Sequence, residues 1–111
     1  MDKLTTYRQI AQQLVAQYAQ YTAKREGIET VAIADEASDN YLVMKVGWHK
    51  GRHEHWMVFH LRIQDEKIRV EWDGTDYGIG QELLDAGAPK EDIVLAFYDP
   101  QTRALTDFAI A

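Results

Sequence analysis

"VFHLRIQDEKIRVEWDGTD", residues 58–76, decides the fold. Phe59, Leu61 and Ile63 alternate with His60 and Arg62, and after a short polar break Ile68, Val70 and Trp72 alternate with Arg69 and Glu71. Successive side chains on a strand point to opposite faces, so a period of two gives each run one apolar face. Two such runs joined by a few polar residues read as an antiparallel hairpin. Asp73, Gly74 and Thr75 close the second run, and aspartate and glycine there suit a strand-to-helix turn.

Working back toward the N-terminus, Leu42, Met44, Val46 and Trp48 repeat the pattern, with Met57 extending the face of the following strand. Val31 and Ile33 repeat it once more, ahead of the turn sequence "DEASDN". The result is an antiparallel β-meander of four or more strands. Matching core faces sets Trp48 opposite Met57, Met44 opposite Leu61, Ile63 opposite Ile68 and Phe59 opposite Trp72, because a one-residue slip would reverse every side chain. In this register Lys45, His60 and Glu71 form a row on the outer face, flanked by Val43, Trp56 and Val58. So apolar an outer face demands a cover, a helix or a second subunit. The expectation is a homodimer, with Val43, Trp56 and Val58 as interface residues.

Helical spacing bounds the meander on both sides. Leu4, Tyr7, Ala11, Leu14, Tyr18 and Tyr21 recur at intervals of three and four, predicting an amphipathic helix over residues 3–24. Asp2 is placed to cap its start, Lys24 and Arg25 suit its negative end, and Gly27 can terminate it. Ile79, Leu83, Leu84 and Ala86 predict a short second helix, with Asp76 as N-cap and Gly87 as terminator before Pro89. "KEDIVLAF" predicts a helical turn entering a further strand at Ile93–Phe97, and Asp99-Pro100 another turn. The apolar tail "DFAIA" is expected to dock through Phe108 and Ile110. The fold class is therefore α+β, as a single domain over residues 1–111.

Composition excludes several functions. The 111 residues contain no cysteine, which removes disulfides, thiolate metal sites and cysteine nucleophiles. A formal charge of −6 repels a polyanion, so nucleic acid is expected to be reached only indirectly, through a complex. No apolar signal segment or membrane span stands out, and a cytoplasmic location is expected.

Two stretches invite a catalytic reading. "EWDGTDYGIG", residues 71–80, resembles the acidic strand-end motif of haloacid-dehalogenase-type phosphotransferases, but the nucleophile's place holds Glu71. "GIGQEL" has Gly78 and Gly80 but Leu83 at the third glycine position of a dinucleotide fingerprint. "HKGRHEH", residues 49–55, offers His49, His53 and His55, with two of them sharing a strand face as in a two-ligand metal clip. Nothing nearby completes or orients that set, so no catalytic, metal or cofactor residue is assigned. A small metal- or phosphate-dependent enzyme using these histidines or Asp73 is the alternative. The same stretch is cationic: Lys45, Lys50, Arg52 and Arg62 and four histidines face one acid, Glu54. Lys50 and Arg52 at its tip are candidates for contact with an acidic partner or a phosphate backbone.

Together, "MDKLTTYRQIAQQLVAQYA", "YLVMKVGW", "VFHLRIQDEKIRVEWDGTD" and "ELLDAGAPKEDIVLAFYDP" with the closing "TDFAIA" resemble the XisI family, the fdxN element excision controlling factor proteins of cyanobacteria. The similarity spans essentially the whole chain and is most specific in "WDGT", "GAPKEDIVLAF" and "DFAIA". The histidine-rich stretch departs from the family pattern. The resemblance implies an accessory role in regulated, site-specific excision of a DNA element, exerted with a XisH-like protein partner and without catalysis.

Overall fold

The computed structural model describes residues 2–21 and 25–111. Helix α1 (Lys3–Tyr21) leads into strands β1 (Ile28–Asp35), β2 (Asn40–His49), β3 (Arg52–Gln64) and β4 (Lys67–Asp73). Helix α2 (Ile79–Asp85), a 3-10 turn at Lys90–Asp92, strand β5 (Ile93–Leu95) and a one-turn helix α3 (Pro100–Arg103) follow. The strands form one sheet in chain order, antiparallel from β1 to β4, with β5 parallel to β4. The fold is the expected α+β arrangement, with a shorter fifth strand. Lys24 and the Tyr21 side chain, assigned above to the first helix, lie outside the described residues.

Helix α1 begins where the sequence places it, with the Asp2 carboxylate accepting from the Thr5 amide at 2.7 Å. Its buried face, Tyr7, Ile10, Ala11, Leu14 and Val15, packs on one side of the sheet against Tyr41, Val43, Phe59, Leu61, Ile68 and Val70. Burial of side chains this size stabilises by about 1.5–3 kcal/mol each. Two polar contacts, one buried and one partly buried, tie α1 to the rest of the fold. The Tyr7 hydroxyl donates to Asp92, which also pairs with Lys3 at 3.1 Å. Arg8 clamps Asp39 through two hydrogen bonds of 2.9 and 3.0 Å.

The register departs from expectation in a way that changes the surface. Lys50 (φ 52°) and Gly51 (φ 76°) both occupy the left-handed region, which makes the β2–β3 connection a two-residue turn. Trp48 therefore pairs with His53 and Met44 with Met57, not Trp48 with Met57. Val43 next pairs with Phe59, and Val58 is the extra residue of a β-bulge. A bulge reverses the facing of everything beyond it, so Tyr41 and Val43 join Phe59 and Leu61 in the core. The core face assigned above to Leu42, Met44, Val46 and Trp48 is the opposite one.

A second bulge, with Glu71 as its extra residue, pairs His60 with Trp72 while Leu61 stays opposite Val70. It turns Trp72, half exposed, away from the core it was expected to enter. Ile63 does pair with Ile68.

The C-terminal tail docks. Ala109 forms a bridge to Val94, its amide donating to the Ile93 carbonyl at 2.9 Å, and the Phe108 ring packs over Gly80. Ile110 remains half exposed.

Candidate interaction surfaces and the turn at Asp73

Cross-strand partners share a face, so the pairing defines the side of the sheet opposite the helices. Val31 and Ile33 from β1, Leu42, Met44, Val46 and Trp48 from β2, and Met57, Trp72 and three histidines from β3 and β4 occupy it. Helices α1 and α2 both pack on the other side, and over β1 to β3 this one carries exposed apolar side chains. Trp48 is 63% exposed and Ile33 42%. An open apolar face was expected, but its composition was not. Val43 is fully buried and Val58 is 8% exposed, so neither is available as an interface residue. Trp56 is exposed but pairs with Lys45, on the helix side of the sheet.

Lys45, placed above in an outer row with His60 and Glu71, lies instead on the helix side, with its Nζ 2.6 Å from the Thr30 hydroxyl. Burial pushes its ammonium below the ordinary lysine value, and Arg25 adds to the effect. His60 and Glu71 do share the open side. Glu71 bridges Arg69 at 3.1 Å and Arg62 at 3.6 Å. His60 Nε2 sits 2.8 Å from the Asn40 side-chain oxygen. Because the Asn40 amide nitrogen is engaged by Ser38, that oxygen faces His60 and Nε2 carries the proton. Burial holds the imidazole below its usual pKa against the pull of Glu71.

Lys50 and Arg52 stand exposed at the tip of the β2–β3 hairpin. Strand β4 pairs with β3 only from Phe59 onward, and on the other edge the chain leading into β1 stays beside β2 only to His49, with the Trp48 amide donating to the Gly27 carbonyl at 3.0 Å. The last turn of the hairpin is thus an arm that projects past its neighbours. His53 packs on the Trp48 ring at 5.0 Å and on His55 at 6.4 Å, while His49 Nδ1 lies 3.2 Å from the Glu26 carbonyl. Among the described residues no three His, Asp or Glu side chains are grouped to hold a metal ion.

At the end of β4 the Asp73 carboxylate is taken up by the chain's own turn. Oδ1 accepts from the Thr75 amide at 2.9 Å and the Thr75 hydroxyl at 2.6 Å, and Oδ2 accepts from the Ile79 amide at 2.8 Å. Asp73, not Asp76, therefore satisfies the first amide of α2. The Gly74 amide donates to the Val58 carbonyl at 2.7 Å, and a Cβ at Gly74 would stand 3.0 Å from that oxygen. A cleft of about 250 Å³ opens beside Asp73, lined by Tyr77, Leu95, Phe97, Tyr98 and Phe108 among others. Its walls are chiefly aromatic and aliphatic, and the Tyr77 hydroxyl is directed to Asp85 at 2.7 Å.

The family model described as XisI protein matches residues 1–110. The chain belongs to the XisI family. Two solved structures agree with it over nearly their full length. The fdxN element excision controlling factor XisI from Anabaena variabilis is 38% identical, with 99% of this chain and 100% of that one covered and a TM-score of 0.86. A XisI-like protein from the same organism is 32% identical, with 97% and 99% covered and a TM-score of 0.91. No curated protein sequence matches the chain. In this XisI-family fold the described residues include no helix long and apolar enough to cross a membrane.

Proposed function

We propose that this XisI-family protein is an excision controlling factor that works by protein–protein contact with a XisH-like partner and carries out no catalysis of its own. The observation that carries this reading is the projecting arm at Lys50 and Arg52, cationic on a chain of net charge −6. An exposed arm of one sign on a body of the other sign steers encounter with an acidic protein surface. The rest of the molecule supports the same reading. Asp73 serves a turn, the histidines of the hairpin converge on no common point, and the cleft beside Asp73 presents mainly apolar walls. The net acidity also opposes direct engagement of DNA, which leaves nucleic acid to the partner.

The test is capture of a purified XisH-like protein on immobilised wild type and on the Lys50→Glu/Arg52→Glu variant. The expected result is retention on the wild type and loss on the variant. Equal retention on both, or on neither, refutes the arm as the contact.

A further inference from the structure

We propose that the open sheet face is covered by the same face of a second copy of this chain, about a two-fold axis that runs along the strands between β2 and β3. The inference does not depend on the XisH-like partner, which the proposed function assigns to the arm. Its ground is the distribution of charge across the face. The residues on the open side fall into cross-strand rows fixed by the pairing. One row reads Asp35, Asn40, Arg62, Arg69; the next reads Ile33, Leu42, His60, Trp72; a third reads Val31, Met44, Met57; and a fourth reads Glu29, Val46, His55. In each charged row the acid stands on β1 and the cationic or basic side chain on β3 or β4; the bulge residue Glu71 is shared between Arg69 and Arg62, which leaves that edge one positive charge in excess.

A face that meets its own copy must be self-complementary. A two-fold axis along the strands reverses each row onto itself. It lays Asp35 over the second copy's Arg69, Ile33 over its Trp72 and Met44 over its Met57, and it brings Glu29 beside its His55. An axis across the strands would stack the two acidic β1 edges together and the two cationic edges together. Charge thus selects one arrangement, and strands kept nearly aligned are the usual geometry for two twisted sheets packed face to face.

The size of the face is adequate as well. Three strands along the whole face and β4 along half of it, about 4.8 Å apart and about 3.3 Å per residue long, give a patch of roughly 500 Å² in flat projection, before the relief of its side chains is added. With that relief it is comparable with the ~800 Å² that each partner buries in a stable complex. Trp48, Trp72, Met44 and Met57 are the residue types that enrich the centres of such interfaces.

Sedimentation equilibrium of the purified protein at tens of micromolar is expected to give twice the 12.8 kDa of one chain. Met44→Glu, near the axis, is expected to weaken the dimer by at least about a hundredfold, since it sets two like charges close together in an apolar contact. Its circular dichroism should match the wild type, because Met44 faces away from the core. The Lys50→Glu/Arg52→Glu variant is expected to remain dimeric, which separates this result from capture of the XisH-like protein. For the axis, Ile33→Cys and Trp72→Cys are introduced separately into the cysteine-free chain, and the two proteins are mixed and treated with a short bis-maleimide. Links between Ile33→Cys and Trp72→Cys chains are expected. A monomeric wild type, a Met44→Glu variant of undiminished affinity, or a dimer in which Ile33→Cys chains link to one another would overturn the proposal.

Discussion

Replacing Asp73 with alanine separates a structural carboxylate from a functional one. The substitution removes three acceptor contacts at once, to the Thr75 amide, the Thr75 hydroxyl and the Ile79 amide. Ile79 is fully buried, so its amide is poorly placed to find water instead. Loss of a helix cap costs about 0.5–2 kcal/mol, and leaving a buried donor unpaired costs about 1–3 kcal/mol. The turn should therefore lose about 2–4 kcal/mol. For a chain of this size, with a urea m-value near 1–1.5 kcal/mol per M, the unfolding midpoint falls by about 2 M. Asp73→Asn should lose about half as much. It keeps the oxygen that serves Thr75, but it turns an amide nitrogen toward the Ile79 N–H, where no hydrogen bond can form. Urea titration followed by circular dichroism measures both. A midpoint shifted by less than about 0.3 M in Asp73→Ala, with capture of the XisH-like protein abolished, would show that the residue acts in function and not in the turn.

Other outcomes follow from the register and from the buried ionisable groups. Val43→Ala should destabilise the fold by about 2 kcal/mol and leave self-association intact, whereas Met44→Glu should do the reverse; thermal unfolding and sedimentation separate the two. Burial alone would raise the Asp92 pKa, but the Tyr7 hydroxyl and the Lys3 ammonium together outweigh it and hold the carboxyl below its ordinary value. A depressed folded-state pKa contributes stability that is present above about pH 4 and lost as the pH falls below it. Denaturant titrations from pH 6 to pH 2.5 should therefore fall less steeply for Asp92→Asn than for the wild type. For His60, held below its usual value by burial, the unfolded chain takes up the proton more readily. Stability should decline as the pH drops from about 6.5 through the folded-state value. His60→Gln should lack that decline in the same titrations.

The elements themselves were legible because their signals are local and redundant. Asp2 before a three-four apolar spacing, period-two runs, and Asp99-Pro100 each act within one turn or strand. Docking of the tail was also readable, since "DFAIA" is too apolar to stand in water. The face assignments were not legible. They depend on two bulges and on a left-handed Lys50 that no propensity marks, and a single extra residue at Val58 exchanges inside for outside along the rest of the hairpin. This is why Val43 and Val58 read as surface anchors and Tyr41 did not register as core. Lys45 shows the same limit. Its place on the helix side follows from the observed pairing with Trp56, whereas the expected register set it beside His60 on the outer face. Asp73 was read as a turn residue from its neighbours Gly74 and Thr75, but its service to the α2 amide in place of Asp76 required three-dimensional geometry.

The arm at Lys50 and Arg52 is the proposed contact between this XisI-family protein and a XisH-like protein. Its most direct test is the affinity between the two purified proteins, measured by titration calorimetry at low and at physiological salt for the wild type and for Lys50→Glu/Arg52→Glu. Saturable wild-type binding that weakens with salt and vanishes in the variant is the predicted result. Binding of equal strength in both proteins, or none in the wild type at either salt concentration, would contradict it.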